Sequence, residues 1–340
     1  MMAPIQPWEL KIEITDACQL RCDFCRQGGP DSHGSRFMPE DEVLAWIDWA
    51  VENDIPGVRF TGGEPTLHPS IKFFCSYARL RGRYIILNSN GMADEGLYRD
   101  LFRLVNDVRV SLPTLDAGRM DAITGGRAVL EKKQRVIELA ATVPGLRIGL
   151  LTVLDPELHG KLESFVLYAQ SLASVVWLPL RFESTPVLPR PWSRQDAQKF
   201  AEELAELKDR YPAVFPGMGS VAPFCAVTPA SLGARVFGGR CVTCGPFRAL
   251  NVDIDGDLMA CFATGKYGKA RPLDEVRQSG AICDYASLNR LPAECQRCEY
   301  VDRCGGGCPK PFGVVEHEGR QIDYLAGFAS EADDAGKECG

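Results

Sequence analysis

The stretch TDACQLRCDFC, residues 15–25, directly follows ELKIEI, residues 9–14, in which charged and apolar residues alternate, and it contains three closely spaced cysteines. Cys18, Cys22 and Cys25 have the spacing CxxxCxxC. A cubane iron–sulfur cluster normally takes four thiolate ligands. Three cysteines on one loop can therefore hold three irons and leave the fourth iron exposed to another ligand. On spacing alone, a zinc ion or three unrelated thiols are the alternatives.

Length and charge restrict the kind of protein. The chain has 340 residues, 45% of them hydrophobic, which is enough for one domain of about 200 to 250 residues and a smaller one. A net charge of −7 leaves no basic excess to neutralise phosphates, which argues against nucleic acid or a membrane as a partner. The first residues lack the pattern of a signal peptide, so we expect a cytoplasmic protein whose 14 cysteines bind metal or stay reduced.

Residues 8–182 alternate short β-branched segments with amphipathic ones, which is typical of β-α units around a parallel sheet. The predicted strands are Leu10–Thr15, Val58–Thr61, Tyr84–Asn88, Val108–Leu112, Leu146–Leu154 and Val175–Phe182. Beyond a charged helix that begins near residue 193, Gly, Pro and Cys dominate, and ten of the 14 cysteines lie from Cys225 onward. We therefore expect a core at residues 1–192, a linking helix at 193–219 and a metal-dependent domain at 220–340.

A second motif follows the second predicted strand, 36 residues after Cys25. It consists of Thr61, Gly62, Gly63, Glu64 and Pro65. With the CxxxCxxC loop and the aromatic Phe24 between its last two cysteines, this motif makes the sequence similar to the radical S-adenosylmethionine (SAM) superfamily. The resemblance implies that Cys18, Cys22 and Cys25 hold a [4Fe–4S] cluster whose open iron chelates SAM. It also implies that the backbone of the glycine motif receives the amino group of SAM, because glycines allow a close approach.

Other positions match the superfamily pattern less completely. Ser89 and Asn90 resemble its Thr-Asn-Gly segment. Ser111 stands where a polar side chain contacts the SAM ribose, but Pro113 replaces the usual acidic residue of that segment. The resemblance therefore leaves the ribose contacts open at this point. Leu154, at the end of the fifth strand, would either pack on the adenine or belong to the core.

The C-terminal cysteines resemble the SPASM extension of radical SAM proteins, which carries auxiliary iron–sulfur clusters. The resemblance implies one cluster on Cys241, Cys244, Cys261 and Cys308, and a second on Cys295, Cys298 and Cys304. The fourth ligand of the second cluster stays open: Cys339 lies downstream as expected, and Cys225, Cys283 or a non-cysteine ligand are alternatives. On the residues alone, the pairs CVTC and CQRC also fit two zinc knuckles.

The expected fold is α/β, a partial (β/α)6 barrel of TIM type followed by a SPASM-type domain. Chemistry in such barrels takes place at the carboxyl ends of the strands, where the cysteine loop, the glycine motif, Asn90 and Ser111 all fall. The resemblance implies that an electron donor such as flavodoxin or ferredoxin reduces the cluster, and that SAM is cleaved to a 5'-deoxyadenosyl radical. This radical would abstract hydrogen from a substrate carbon. A zinc or iron–sulfur scaffold without activity is the alternative.

The expected substrate is a small molecule, namely a sugar, aminocyclitol or nucleoside. SPASM enzymes that modify ribosomally made peptides often carry an added recognition domain, for which the segment before the first strand leaves no room. Phe262 also stands where peptide-oxidising relatives have an acidic base. Arg181 and Glu183 share a face at the end of the sixth strand, so Arg181 would bind a carboxylate and Glu183 accept a hydroxyl proton, unless they form a structural ion pair.

The compact chain is also similar to radical SAM enzymes that act on cytosylglucuronic acid in antibiotic biosynthesis. That resemblance implies a lyase reaction, either dehydration or decarboxylation. An aminocyclitol-directed relative would instead be an oxidoreductase that dehydrogenates an alcohol.

Overall fold

A computed structural model describes residues 6–25, 29, 31–182, 184, 191–239, 248–261, 266–269, 271–280, 283, 287–308 and 314–328. All six predicted strands are confirmed, with ends that differ by at most two residues. They are β1 (Glu9–Glu13), β2 (Gly57–Thr61), β3 (Tyr84–Ser89), β4 (Asp107–Ser111), β5 (Arg147–Leu154) and β6 (Val175–Arg181). They pair in parallel and in sequence order, which confirms the predicted α/β fold of partial-barrel type.

The same sheet continues into the cysteine-rich region. Strand β7 (Ala249–Val252) pairs in parallel with β1, and β8 (Leu258–Met259) and β9 (Lys266–Gly268) follow it antiparallel. The order of the nine strands is β6-β5-β4-β3-β2-β1-β7-β8-β9. The C-terminal region is therefore joined to the core by backbone hydrogen bonds, across the boundary that we expect near residue 220.

Helices connect the strands and extend into the C-terminal region. The connecting helices are α1 (Glu40–Glu52), α2 (Ile71–Leu80), α3 (Glu95–Phe102), α4 (Ala117–Thr124), α5 (Val129–Ala141) and α6 (Leu162–Gln170). Those that follow are α7 (Arg194–Arg210), α8 (Ala230–Val236), α9 (Leu273–Gln278), α10 (Ala293–Gln296) and α11 (Val301–Cys304). Short 3-10 turns lie at Pro65–Leu67, Pro156–Leu158, Phe224–Ala226 and Leu288–Arg290, and a hairpin is formed by β10 (Val314–His317) and β11 (Arg320–Asp323). No helix in the described ranges is both long and apolar enough to cross a membrane.

Local sequence explains where these helices begin and which side they bury. Helix α7, predicted from its charged pattern, begins with a capping box in which Ser193 and Asp196 satisfy each other's backbone N–H groups. Helix α1 buries Val43, Ile47 and Ala50, which share one face by helical periodicity. Such faces cover one side of the sheet.

The two faces of the barrel sheet differ in chemistry. Apolar side chains on one face pack against the helices, as Phe60 does on Phe74 of α2 and Trp177 on Phe165 of α6. The opposite face, which we call the inner face, is mainly polar on β1 to β4 and mainly apolar on β5 and β6. It includes Lys11, Glu13, Arg59, Asn88 and Arg109. In a barrel, the functional site lies at the carboxyl ends of the strands. The polar side chains of the inner face line the interior that leads to this end.

Candidate active site

The three cysteines of the CxxxCxxC motif lie on the loop between β1 and α1, and each is half-buried. The loop is closed at its base, where the N–H of Met38 donates to the carbonyl of Ile14 at 2.9 Å. Within the loop, the N–H of Cys25 donates to the carbonyl of Cys22 at 3.2 Å. The cysteines are thus held on one folded loop at the carboxyl end of β1.

The environment of these thiols fits a bound cluster. Burial raises the pKa of the Cys18 thiol and raises the pKa of the Cys22 thiol to about 12. Their ionised forms therefore need a positive partner, and coordinating irons supply one because a metal-bound thiol loses its proton. The amide Nδ2 of Asn90 donates to Cys18 Sγ at 3.5 Å, a type of contact that stabilises a thiolate ligand and tunes its cluster.

The glycine motif packs directly against the cysteine loop. The N–H of Gly63 donates to the carbonyl of Thr15, and the N–H of Glu64 donates to that of Ala17, both at 2.7 Å. A Cβ atom on Gly62 would lie 2.1 Å from the Thr15 carbonyl oxygen, and one on Gly63 would lie 2.2 Å from the Ala17 oxygen. These glycines are needed for the approach of the two segments, a role additional to the SAM contact that the sequence predicts.

Glu64 is fully buried and ties three segments together. Its Oε1 accepts hydrogen bonds from the Thr66 hydroxyl at 2.6 Å and the Ser89 hydroxyl at 2.9 Å. Its Oε2 accepts from the N–H of Asn90 at 2.6 Å. Burial raises the pKa of Glu64, although these donors oppose the shift. Glu64 and Ser89, predicted as cofactor contacts, thus also set the position of Asn90 beside Cys18.

Lys133 of α5 joins this network, and the sequence analysis missed it. Its ammonium donates to the carbonyl of Asn90 at 2.6 Å and to that of Ser111 at 2.8 Å, at the ends of β3 and β4. Burial lowers the pKa of Lys133 to about 8, while the thiolate forms of Cys22 and Cys18 would raise it. The sequence could have indicated its burial, because Lys133 lies on the apolar face of α5, three residues before the buried Val136.

Other predicted cofactor residues divide between the two faces of the sheet. Thr61 pairs with Glu13, and its alternation places it on the inner face with Ser111. Leu154 lies on the helix side, fully buried in the core, which corresponds to the second of its two predicted roles. Phe24 is half-buried against the core, and Pro65 is buried at the start of its 3-10 turn.

Arg181 forms the structural ion pair that the sequence analysis gave as the alternative to substrate binding. It lies on the helix side of β6, and its Nη1 and Nη2 donate to the two carboxylate oxygens of Asp323 at 2.5 and 2.9 Å. Burial alone would lower its pKa, but the carboxylate raises it above the usual value. Asp323 also accepts the N–H of Cys308 at 2.8 Å. Arg181 therefore links the barrel to the cysteine-rich region rather than presenting a free cation to a substrate.

Four C-terminal cysteines line one cavity of about 110 Å³: Cys225, Cys295, Cys298 and Cys304. The three that the sequence assigned to one cluster are thus brought together, and Cys225 joins them from 70 residues upstream of Cys295. Cys261 and Cys308, assigned to the other cluster, are both half-buried. Cys241, Cys244, Cys339 and Glu183 lie outside the described residues.

Comparison with known sequences finds one family. Residues 12–144 match the family described as the Radical SAM superfamily. Molybdenum cofactor biosynthesis protein 1 of Mus musculus is 27% identical over 274 residues, which cover 74% of this chain and 41% of that protein. GTP 3',8-cyclase of Synechococcus elongatus is 30% identical over 207 residues, which cover 56% of this chain and 63% of that protein. The chain thus spans less than two thirds of the length of these relatives.

Solved structures share the fold over nearly the whole chain. Streptococcus suis SuiB bound to S-adenosylmethionine superposes with a TM-score of 0.74 at 16% identity, covering 94% of this chain and 77% of that one. The structure of anSMEcpe with bound AdoMet and the Kp18Cys peptide gives a TM-score of 0.72 at 17% identity, covering 94% of each chain. The likeness in fold therefore includes the cysteine-rich region as well as the barrel.

Proposed function

We propose that this protein, whose residues 12–144 form a domain of the radical SAM superfamily, cleaves SAM reductively and starts radical chemistry on a small polar substrate. When bound and reduced by an external donor such as flavodoxin or ferredoxin, the cluster supplies one electron that breaks a carbon–sulfur bond of SAM, giving methionine and a 5'-deoxyadenosyl radical. The observation that carries the proposal is the packing of the cysteine loop onto the glycine motif at the ends of β1 and β2.

The chain's own part in this chemistry is to hold the reacting groups in place. Cys18, Cys22 and Cys25 would be the cluster ligands, and Asn90 donates to one of them. Glu64 and Lys133 fix Asn90 from both sides, through its N–H and its carbonyl. SAM would then be bound between the glycine motif and the ends of β3 and β4.

The inner face supports a small polar substrate. Asn88 and Arg109 lie opposite each other on β3 and β4. The Oδ1 of Asn88 and the Nε of Arg109 are buried, and both lack a hydrogen-bond partner. Because unpaired buried polar atoms are rare and costly, a ligand that offers them a hydroxyl and an anionic oxygen would be favoured there. Within the expected classes, a sugar acid or a nucleotide offers both groups, whereas a neutral sugar, an aminocyclitol or an unphosphorylated nucleoside offers the hydroxyl alone.

The sequence relatives favour the nucleoside or nucleotide end of this range, since they include proteins named GTP 3',8-cyclase. Hydrogen abstraction from a sugar carbon, as in cytosylglucuronic acid, would lead to dehydration or decarboxylation. Abstraction from the carbon of an alcohol would lead to dehydrogenation, for which an auxiliary cluster, if bound, would supply an acceptor for the second electron. Glu183 is the proposed acceptor of the hydroxyl proton.

The first test is SAM cleavage. Anaerobically reconstituted and reduced protein should convert SAM to 5'-deoxyadenosine and methionine, both measured by chromatography. Replacement of Cys18, Cys22 and Cys25 together by Ala should abolish this conversion and remove one cluster's share of iron. Formation of S-adenosylhomocysteine alone would indicate methyl transfer and refute radical chemistry.

The second test identifies the substrate class by label transfer. Deuterated sugars, aminocyclitols and nucleosides are incubated with the reduced enzyme, and 5'-deoxyadenosine is examined for deuterium by mass spectrometry. Arg109→Met should lower label transfer about tenfold or more while leaving substrate-independent SAM cleavage intact, because Arg109, which also pairs with Asp107 at 3.4 Å, would bind the anionic group of the substrate and not SAM. Label transfer from a peptide but from no small metabolite would overturn the substrate class.

A further inference from the structure

We infer that Cys225 is the fourth ligand of an auxiliary iron–sulfur cluster that Cys295, Cys298 and Cys304 also bind. The inference concerns the ligand set alone and stands whatever the substrate is. It departs from the sequence pattern, in which a cysteine downstream of Cys308 is expected to complete this set.

The four thiols converge on a single cavity although they come from separate elements. Cys225 lies in the 3-10 turn Phe224–Ala226, Cys295 in α10, and Cys304 at the end of α11. All four side chains line the cavity of about 110 Å³ described above. Four thiolates are the usual ligand number of a [4Fe–4S] cluster, so the cavity already offers a complete set.

Backbone N–H groups point at three of the four sulfurs. The N–H of Gly327 donates to Cys225 Sγ at 3.3 Å, and the N–H of Tyr300 donates to Cys298 Sγ at 3.4 Å. The N–H of Phe224, next to Cys225, donates to Cys304 Sγ at 3.4 Å. Such bonds stabilise thiolate ligands and set cluster potentials. Cys225 thus has the same surroundings as the cysteines already assigned to the cluster.

Glycines shape both sides of this cavity. Gly305, Gly306 and Gly307 have φ of 66°, 80° and 83°, and this left-handed run directly follows Cys304. Successive N–H groups in such conformations form concave sites for anionic groups, including iron–sulfur clusters. On the other side, a Cβ atom on Gly327 would lie 2.4 Å from the Cys225 carbonyl oxygen. Glycine there allows the segment after the hairpin to reach Cys225.

The spacing of the sulfurs argues for a cluster over a zinc ion. Four thiolates around one zinc ion at about 2.3 Å would hold their sulfurs about 3.8 Å apart. Among the cysteines within the described ranges, no three Sγ atoms all lie within 4.8 Å of one another. As placed, the sulfurs are therefore farther apart than the ligands of one zinc ion, which favours the larger cluster. Cys283, an alternative fourth ligand from the sequence, is exposed, and its thiol donates to the carbonyl of Arg277 at 3.6 Å.

The test compares Cys225→Ser with Cys283→Ser in full-length, reconstituted protein. Iron and sulfide are assayed, and clusters are followed by Mössbauer and electron paramagnetic resonance spectroscopy. Cys225→Ser should lose the iron of one auxiliary cluster or convert that cluster to a [3Fe–4S] form. Cys283→Ser should match the wild type. An unchanged response of the first cluster's resonance to added SAM shows that the Cys225→Ser protein is folded.

A second measurement needs no variant. Wild-type protein is alkylated before and after chelator removes its iron, and the modified cysteines are mapped by mass spectrometry. Cys225 should be protected only in the iron-loaded protein, whereas the exposed Cys283 reacts in both states and the buried Cys75 in neither. Equal alkylation of Cys225 in both states, or full iron with unchanged spectra in Cys225→Ser, would overturn the assignment. So would loss of this same cluster in Cys339→Ser while Cys225 is intact. Failure of SAM cleavage with full cluster content would instead count against the proposed function.

Discussion

The Arg181–Asp323 pair allows a prediction of how strongly the barrel and the cysteine-rich region depend on each other. The side chains are 5% and 0% exposed, and Asp323 also accepts N–H groups of Cys308 and Leu325. Asp323→Asn keeps the shape of the side chain but removes the charge that compensates the guanidinium. Removing one partner of a buried ion pair costs about 3 to 5 kcal/mol, because the other charge stays buried and unpaired.

This cost translates into a shift of the melting temperature. An unfolding entropy of about 2.1 cal/mol/K per residue gives about 0.7 kcal/mol/K for the 340-residue chain. The melting temperature of Asp323→Asn should therefore fall by about 4 to 7 °C. The Arg181→Met/Asp323→Asn double variant should regain most of that loss, since it leaves no uncompensated charge. Differential scanning calorimetry of the reconstituted protein measures both shifts.

An exposed pair provides the matched control. Arg235 and Asp209 are 44% and 64% exposed, and a pair so hydrated contributes at most about 1 kcal/mol. Asp209→Asn should therefore change the melting temperature by less than about 1.5 °C. A change as small as this in Asp323→Asn, or a double variant that falls by the sum of its single variants, would refute the reasoning.

Two further substitutions test the support of the first cluster. Gly63→Ala should lower the iron of that cluster and slow SAM cleavage at least about tenfold, since its Cβ would lie 2.2 Å from the Ala17 oxygen. Gly280→Ala, which adds a Cβ in open space, should preserve both, and equal behaviour of the two variants would contradict the packing argument. Glu64→Gln places an amide NH2 group against the backbone N–H of either Asn90 or Thr66, so calorimetry should show a loss of stability of roughly 1–3 kcal/mol, the cost of an unpaired buried donor. Wild-type stability would exclude Glu64 from this support.

The sequence predicted the barrel because its strands are marked by local patterns. A strand such as β2, buried along its whole length, appears as a short segment with Val58, Phe60 and Thr61 between a helix and a glycine turn. No local sequence pattern predicts that β7 joins this sheet. Its four residues, Ala249–Val252, pair with Glu9–Ile12, some 240 residues earlier in the chain, and only the folded structure determines that neighbour.

The predicted cluster ligands are adjacent in sequence, whereas the role of Arg181 depended on which face of its strand it occupies. Alternation alone allows Arg181 to lie on either side of β6. The decisive residue is Trp177, which shares the face of Arg181 and packs on Phe165 of α6. A large apolar residue four positions earlier therefore indicated the helix side, where Arg181 reaches Asp323.

Cys225 shows why a spacing motif is an incomplete account of a metal site. In its sequence context, APFCAV, it has no second cysteine nearby and none of the spacing that marks the other ligands. Its place beside Cys304 depends on Phe224, whose N–H donates to that sulfur, and on Gly327, which lets a distant segment contact it. Neither contact produces a spacing or a repeating pattern that could be recognised in the sequence. A fourth ligand can therefore come from any segment that the fold brings within reach, since cluster binding requires a set of thiolates at the right positions in space and no fixed order along the chain.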